Sequence, residues 1–381
     1  MELYIHIPFC IKKCNYCDFL SFPANQEVIE RYCQALEEEL RQTAKYIKKE
    51  ENISTIFIGG GTPSVLTETQ ITHLFSCIYN AYSINPEAEI SMEANPGTLT
   101  YEKLCACREA GVNRLSIGLQ CADDATLRML GRIHTWDQFV ENYTAARKVG
   151  FQNINIDIMS SLPGQSLSKY LESLYAVMEL EPEHISSYSL ILEEGTPFYE
   201  SEEIRKQLPD EAEDRKMYEK TKEILLERGY ERYEISNYAK KGFACQHNLG
   251  YWDNVSYLGV GLGASSFYKD ARFANERSIK KYIERPFYPF EQRKDYILLK
   301  KKDKMEDFMI FGLRKMAGIS LSRFEAEFAT PVEQVYGRVI RRYTKMGLLV
   351  KEGDQLRLSD AGIDVSNRIF EDFLLDNDVI I

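Results

Sequence analysis

The chain has 381 residues, with 47 Lys and Arg against 58 Asp and Glu and a formal net charge of −11. That acidity disfavours a nucleic-acid surface, which needs clustered positive charge, and no run approaches the roughly 18 consecutive apolar residues of a membrane helix. Nine cysteines without matched spacings, behind an N-terminus that lacks a signal-peptide pattern, argue for reduced thiols and a cytoplasmic address rather than a disulfide framework.

The first half alternates apolar runs with helical spacing. "LYIHI" (3–7) reads as a strand, and the "FCIKKCNYCDF" that follows is succeeded by a helical "NQEVIERYCQALEEELRQTAKYIKK". Next come "STIFIG" (54–59) and a helix from Thr67, then "EISMEA" (89–94) and a helix from Thr100. "VNRLSIGL" (112–119) precedes two helical stretches, and "NINIDIM" (153–159) and "HISSYSL" (184–190) close the series. Six strands separated by helices predict successive βαβ units and a parallel sheet. The cysteines, "GGGTP", "EANPG", "QCADD" and "DIMSSLPGQ" all fall just after strands. A barrel of βα units builds its functional face there, so we expect an α/β chain with a full or partial (β/α)6-type barrel.

After about residue 200 the regularity fades. "QLPDEAEDRKMYEKTKEILLERGYERYEIS" predicts a long helix and a short strand, and "KGFACQHNLGYWDNVSYLGVGLGASSF" reads as loop and strand. Residues 286–290, "PFYPF", read as a linker. From Asp303 three helices, a hairpin turning at Glu352–Asp354 and a last helix resemble a winged helix. The expected organisation is a barrel core over 1–200, a barrel-completing region over 201–285 and a C-terminal winged-helix-like domain over 290–381.

Cys10, Cys14 and Cys17 form C-x3-C-x2-C. Closely spaced thiolates bind soft metals, and a [4Fe–4S] cluster held by three of them leaves one iron open to another molecule. Zinc would need a fourth ligand that the neighbourhood does not clearly supply; Cys33 falls on the following helix and His6 on the preceding strand. Cys105 and Cys107, two apart on a predicted helix, face different ways. Cys77, Cys121, His134 and His184 have no partners in sequence, and the basic "RKDYILLKKKDK" (293–304) reads as a solvated face.

The cysteine triplet after the first strand resembles the signature of the radical S-adenosylmethionine enzymes. In that superfamily the open iron is chelated by the methionine moiety, and an electron from the cluster cleaves the sulfonium to a 5′-deoxyadenosyl radical. "YIHIPFC", "GGGTP", "EANPG", "NRLSIGLQ" and "NIDIMSSLPGQ" in this order narrow the resemblance to the oxygen-independent coproporphyrinogen III oxidases and their relatives, the HemW-type haem chaperones. The resemblance implies that Tyr4 and Tyr16 pack on bound S-adenosylmethionine and that Gly60, Gly61 and Thr62 contact its amino group. It implies that Glu93, Gln120, Arg132 and Asp157 hold its ribose and methionine parts, as carboxylates and arginine can.

The oxidases continue to a fourth cysteine two residues beyond the third, where this chain has Phe19, and they carry an N-terminal extension longer than the few residues here. "HNLGYW" matches the haem motif H-N-x-x-Y-W of the HemW type at His247, Asn248, Tyr251 and Trp252. Imidazole is the usual axial ligand of haem iron and aromatics offer flat apolar surface, so His247 is the first candidate ligand, with Cys245 near enough to compete.

The leading reading is a haem-binding chaperone on a radical-SAM scaffold, delivering haem to acceptor proteins, with an electron donor for the cluster. It retains a capacity for S-adenosylmethionine cleavage and is not expected to oxidise coproporphyrinogen. Peripheral contact with a membrane stays open. The alternatives are an oxygen-independent coproporphyrinogen III oxidase or a radical-SAM enzyme on another substrate, and a winged-helix regulator with a vestigial barrel. The acidic chain disfavours the last of these.

Overall fold

The computed structural model describes residues 1–47 and 51–375; the expected helical end at Lys48 and Lys49 and the last residues, 376–381, lie outside them. Six parallel strands arise where the sequence alternates, each followed by helix: β1 (Glu2–Ile7), β2 (Ile53–Gly60), β3 (Ile84–Ala94), β4 (Arg114–Gln120), β5 (Ile154–Ser160) and β6 (His184–Ser189). The helices between them are α1 (Gln26–Ala44), α2 (Glu68–Ala81), α3 (Tyr101–Glu109), α4 (Asp124–Leu130), α5 (Trp136–Val149) and α6 (Leu167–Met178). Their starts are set by side-chain oxygens that accept otherwise unpaired backbone N–H groups. Asn25 caps α1, Thr100 caps α3 and Ser166 caps α6, while Thr67/Gln70 and Thr135/Gln138 make reciprocal capping boxes on α2 and α5.

The second half of the chain supplies both edges of the same sheet. β7 (Glu231–Arg232) and β8 (Asn237–Ala239) add antiparallel beyond β6. β9 (Tyr257–Val260) pairs parallel with β1, and β10 (Ser265–Tyr268), β11 (Ala271–Ala274) and β12 (Lys294–Leu298) extend that edge antiparallel. The strand order is β12-β11-β10-β9-β1-β2-β3-β4-β5-β6-β8-β7, so no pairing joins β6 back to β1 and the barrel is partial. Residues 286–290 are not a free linker: Phe290 is buried, stacks on Phe273, and leads into β12, so the sheet runs on past this point.

The strand period of two sorts the side chains into opposite faces. Leu3, Ile5, Ile7, Ile56, Ile58, Ile90, Met92, Leu115, Ile117, Leu119, Ile154, Ile156 and Ile158 are buried in one apolar core with residues of the helices. The other parity carries Tyr4, Phe57, Glu93, Arg114, Ser116, Gln120, Asn155, Asp157, Ser186 and Tyr188, all lining one cavity. A sheet whose first and sixth strands reach the same cavity must curl around it.

A separate core around Phe308, Phe324, Phe328, Tyr336, Leu349, Leu356 and Phe373 organises the C-terminal segment. Helices Lys301–Gly312, Leu321–Phe328 and Val332–Lys345 precede the hairpin Leu349–Glu352/Gln355–Leu358, which pairs with Ile319–Ser320. Two short helices, Asp360–Asp364 and Ser366–Glu371, replace the single last helix expected. Asp253 receives Lys315 Nζ at 2.5 Å and Arg323 Nη1 at 2.7 Å, which ties this unit to the barrel.

Candidate functional site

The cysteine loop is pinched at its base by Cys10 N–H donating to Phe22 O (3.1 Å) and Phe22 N–H donating to Pro8 O (2.9 Å). Its tip is docked on the end of α4, where Asn15 donates to Leu130 O at 2.9 Å and, from its side chain, to Met129 O at 2.8 Å. Cys10, Cys14 and Cys17 are free, half-buried thiols facing one cavity, and burial raises the Cys17 pKa. Each thiolate of a cluster binds its own iron, so three thiols suit a cluster without meeting at a point. Among the described residues no three Cys, His, Asp or Glu side chains close around a single ion.

The glycine loop after β2 is forced against this loop. Gly61 N–H donates to Ile7 O at 2.8 Å and Thr62 N–H to Phe9 O at 2.7 Å. Gly60 has φ +112°, and a Cβ there would lie 2.5 Å from the His6 ring; one on Gly61 would lie 2.7 Å from Phe9 O. Only glycine fits both positions. The run brings backbone to the cavity wall and sets Thr62 Oγ1 3.3 Å from Cys10 Sγ.

The cavity measures about 430 Å³, within the usual range for small-ligand sites. Tyr4, Cys10, Cys14, Tyr16, Cys17, Gly60, Gly61, Thr62, Glu93, Gln120, Arg132, Asp157, His247, Asn248 and Tyr251 all line it; of the cofactor and haem candidates above, Trp252 and Cys245 do not. Arg132 spans the wall, with Nη2 donating to Asn95 Oδ1 at 2.8 Å and to Gly118 O, and Nη1 3.6 Å from Cys14 Sγ. Glu93 accepts Gly60 N–H at 3.0 Å, and its pKa is raised to about 7 by burial and then by the facing Asp157. Burial also raises Asp157, against hydrogen bonds from Asn155 at 2.8 Å and Ser116 at 3.3 Å. Gln120 holds φ 77° and accepts the Tyr188 hydroxyl at 3.0 Å.

Two buried carboxylates repel across this space while the Nε atoms of Arg114 and Arg132 lack partners. Such a wall is incompletely compensated by the protein itself. It is complementary to a ligand that carries an ammonium and a carboxylate together. The donor set therefore fits a thiolate-bound cluster with an amino-acid moiety beside it.

The haem motif sits on a helix, Gln246–Trp252, and not on the loop expected from its glycines. His247 is 1% exposed, with Nδ1 2.7 Å from Thr55 Oγ1 and Nε2 2.9 Å from the Tyr251 hydroxyl. Its ring stacks on Phe57, and burial lowers its pKa to about 3. Both ring nitrogens are hydrogen-bonded within the protein, and His247 lines the cavity beside Asn248 and Tyr251. Cys245 is fully buried against the Glu89 carboxylate and does not reach the cavity. Trp252 turns away, under the Arg314 guanidinium at 4.4 Å and among residues of the C-terminal unit. His184, partnerless in sequence, bonds Asn155 Oδ1 at 2.5 Å and the Tyr233 hydroxyl at 2.8 Å.

Sequence reading missed Arg114, the largest fully buried side chain, and with it Asn95, Ser116, Asn155, Ser186 and Tyr188. The signal was available. Arg114, Ser116, Gly118 and Gln120 alternate along one strand, so the face assigned to Gln120 carries Arg114 too.

Comparisons with known proteins agree with this architecture. A model of the radical SAM superfamily matches residues 4–174, and one of the HemN C-terminal domain matches residues 299–365. The chain is 36% identical to a protein of Lactococcus lactis named "Heme chaperone HemW", over 98% of this chain and 97% of that protein. A Bacillus subtilis protein of the same name is 36% identical over 97% of this chain and 98% of its own length. Among solved structures, the radical SAM enzyme coproporphyrinogen III oxidase (HemN) of Escherichia coli superposes with a TM-score of 0.86 at 24% identity, covering 98% of this chain and 89% of that one. That likeness shows a shared fold, and with full-length relatives above 30% identity the chain belongs to the HemW family of radical SAM proteins.

Proposed function

We propose that this chain is a cytoplasmic haem chaperone that takes up haem as cargo and passes it to acceptor proteins, on a radical-SAM scaffold that binds a [4Fe–4S] cluster and S-adenosylmethionine. The observation that carries the cofactor part is the cavity, where three free thiols, two pKa-raised carboxylates and two under-satisfied arginines face one space. Family membership carries the haem part. Among the described residues no helix is long and apolar enough to cross a membrane.

In this reading Cys10, Cys14 and Cys17 hold the cluster, which when bound supplies the electron for cleaving the sulfonium. Glu93 and Asp157 accept from ammonium and ribose hydroxyls, and Arg132 pairs with the carboxylate. Gly60, Gly61 and Thr62 bring backbone polar groups to the amino group, Gln120 adds a polar side-chain contact, and Tyr4 and Tyr16 supply flat packing surface. The cluster draws electrons from a separate donor.

The test is anaerobic reconstitution of the cluster, then reductant and S-adenosylmethionine with haem or, separately, coproporphyrinogen III. Saturable binding of haem and its transfer to an apo-acceptor, without porphyrinogen conversion, is the expected result. Protoporphyrinogen formed over many turnovers would overturn it.

A further inference from the structure

Arg114 is 2% exposed and lines the cavity. The register of the sheet fixes where it stands. Glu2, Thr55 and Glu89 are paired neighbours on β1, β2 and β3, and the motif helix Gln246–Trp252 rests on this row. Thr55 Oγ1 is 2.7 Å from His247 Nδ1, and Glu89 accepts the backbone N–H groups of Gln246 at 3.0 Å and His247 at 3.2 Å. Two residues farther along, on the same face, comes the row Tyr4, Phe57, Ser91 and Arg114. Arg132 acts at the other end, on Gly118 O and 3.6 Å from Cys14 Sγ. Gly118 is four residues, roughly 13 Å, farther along β4 than Arg114.

The Arg114 guanidinium is short of partners. Among the described residues it makes one hydrogen bond, from Nη1 to Ser91 Oγ at 3.4 Å, and Nε makes none. The acids whose charge reaches it, Glu89 and Asp157, are engaged elsewhere. Glu89 holds the first turn of the motif helix, and Asp157 accepts from Asn155 at 2.8 Å and Ser116 at 3.3 Å. A guanidinium withdrawn from water without a full set of hydrogen bonds is costly, and an anion brought to it offsets part of that cost. In the proposed site Arg132 takes the methionine carboxylate, which leaves Arg114 for another anion. Tyr4 and Phe57, stacked at 23°, line the cavity in the same row. The ligand that fits is flat and apolar, with a carboxylate at one edge.

We propose that Arg114 is the anion receptor at the motif-helix end of the cavity and takes a carboxylate of the molecule bound there, a propionate when that molecule is haem. This rests on the haem-chaperone reading and adds the residue that selects cargo by its acid groups. A haem whose propionates are esterified keeps the ring and the iron but offers the guanidinium no anion.

The test titrates the full-length, cluster-reconstituted protein with haem and with haem dimethyl ester, read by the Soret band, and with S-adenosylmethionine, read by equilibrium dialysis. The unaltered protein binds haem about tenfold more tightly than the ester, or better, because the ester lacks the charge-assisted contact. Arg114→Gln lowers haem affinity about tenfold, to the level of the ester, and leaves the ester's own affinity unchanged. S-adenosylmethionine affinity in that variant stays within about threefold. Arg114→Lys, which keeps the charge on a different head group, retains part of the preference for haem. Equal affinity of the unaltered protein for haem and ester overturns the proposal, whether or not either variant folds. So does a preference that survives in Arg114→Gln. Loss of S-adenosylmethionine affinity in that variant with haem binding unaffected also overturns it, and assigns Arg114 to the methionine carboxylate. No saturable haem binding by the unaltered protein would instead bring down the chaperone reading itself.

Discussion

Replacing Glu93 by Gln tests the central electrostatic claim. The carboxyl is raised from its ordinary 4.5 to about 7 by burial and by Asp157. An acid raised on folding holds its proton in the native state where the unfolded chain has already lost it. Its contribution to stability is therefore greatest below pH 4.5 and is lost as pH rises through 7. A shift of this size corresponds to about 3 kcal/mol at full ionisation, and to a change of about 2 kcal/mol between about pH 5.5 and about pH 8.5. Gln keeps an oxygen for the Gly60 N–H at 3.0 Å and removes the charge facing Asp157. Ligand-free Glu93→Gln should thus be the more stable protein at alkaline pH, by an amount that grows with pH, in urea melts of both forms. S-adenosylmethionine should then stabilise the unaltered protein more than the variant, since in the proposed site the lost charge is the one assigned to the ammonium. An advantage that does not change with pH would refute the reasoning, because it would mean that Glu93 ionises as an ordinary surface acid does.

Gly60→Ala combines a φ of +112° with a Cβ 2.5 Å from the His6 ring; it should cost about 2 kcal/mol or more in denaturant unfolding. Cys14→Ser should remove the brown absorbance of the reconstituted cluster while far-UV circular dichroism is unchanged, because the thiol only borders the cavity. His247→Ala deletes a buried ring stacked on Phe57 and two hydrogen bonds, and its midpoint in urea should fall by the equivalent of about 2–4 kcal/mol. Trp252→Ala should loosen the C-terminal unit, read as faster proteolysis between the two cores, while S-adenosylmethionine affinity holds, since that ring packs against Arg314 and Phe311 outside the cavity.

The parallel strands and their order along the chain were legible because a strand buried against helices must be apolar on one parity, and Ile, Leu and Met occupy that parity here. The cluster thiols and the glycine loop were legible because they fall at strand ends, where a barrel gathers its ligands. Arg114 was passed over because an arginine in a strand reads as a solvated end, and only closure of the curled sheet buries it. The edge strands β7 to β12 were legible only in part, as a short strand before residue 237 and a loop-and-strand stretch over 241–267, with their number and pairing hidden. They are two to five residues long, and periodicity cannot be read from so few positions.

The haem motif shows how contiguity in sequence separates in space. "HNLGYW" is a single run of six residues, and as a loop it could have presented His247, Tyr251 and Trp252 to one ligand. On a helix, four residues return nearly to the same face while five leave a residue about 140° away. His247 and Tyr251 are accordingly edge to face at 4.8 Å and hydrogen-bonded to each other, and Trp252 faces the C-terminal unit. The helix is held in this rotation from both sides. Gly250 leaves room for Glu2, whose carboxylate would collide with any Cβ there, and Asp253 anchors Lys315 and Arg323. Rotating Trp252 into the cavity would withdraw His247 and Tyr251 from its wall and break the Asp253 ties. Three of the four motif residues, His247, Asn248 and Tyr251, therefore line the cavity, while Trp252 is spent on docking the C-terminal unit.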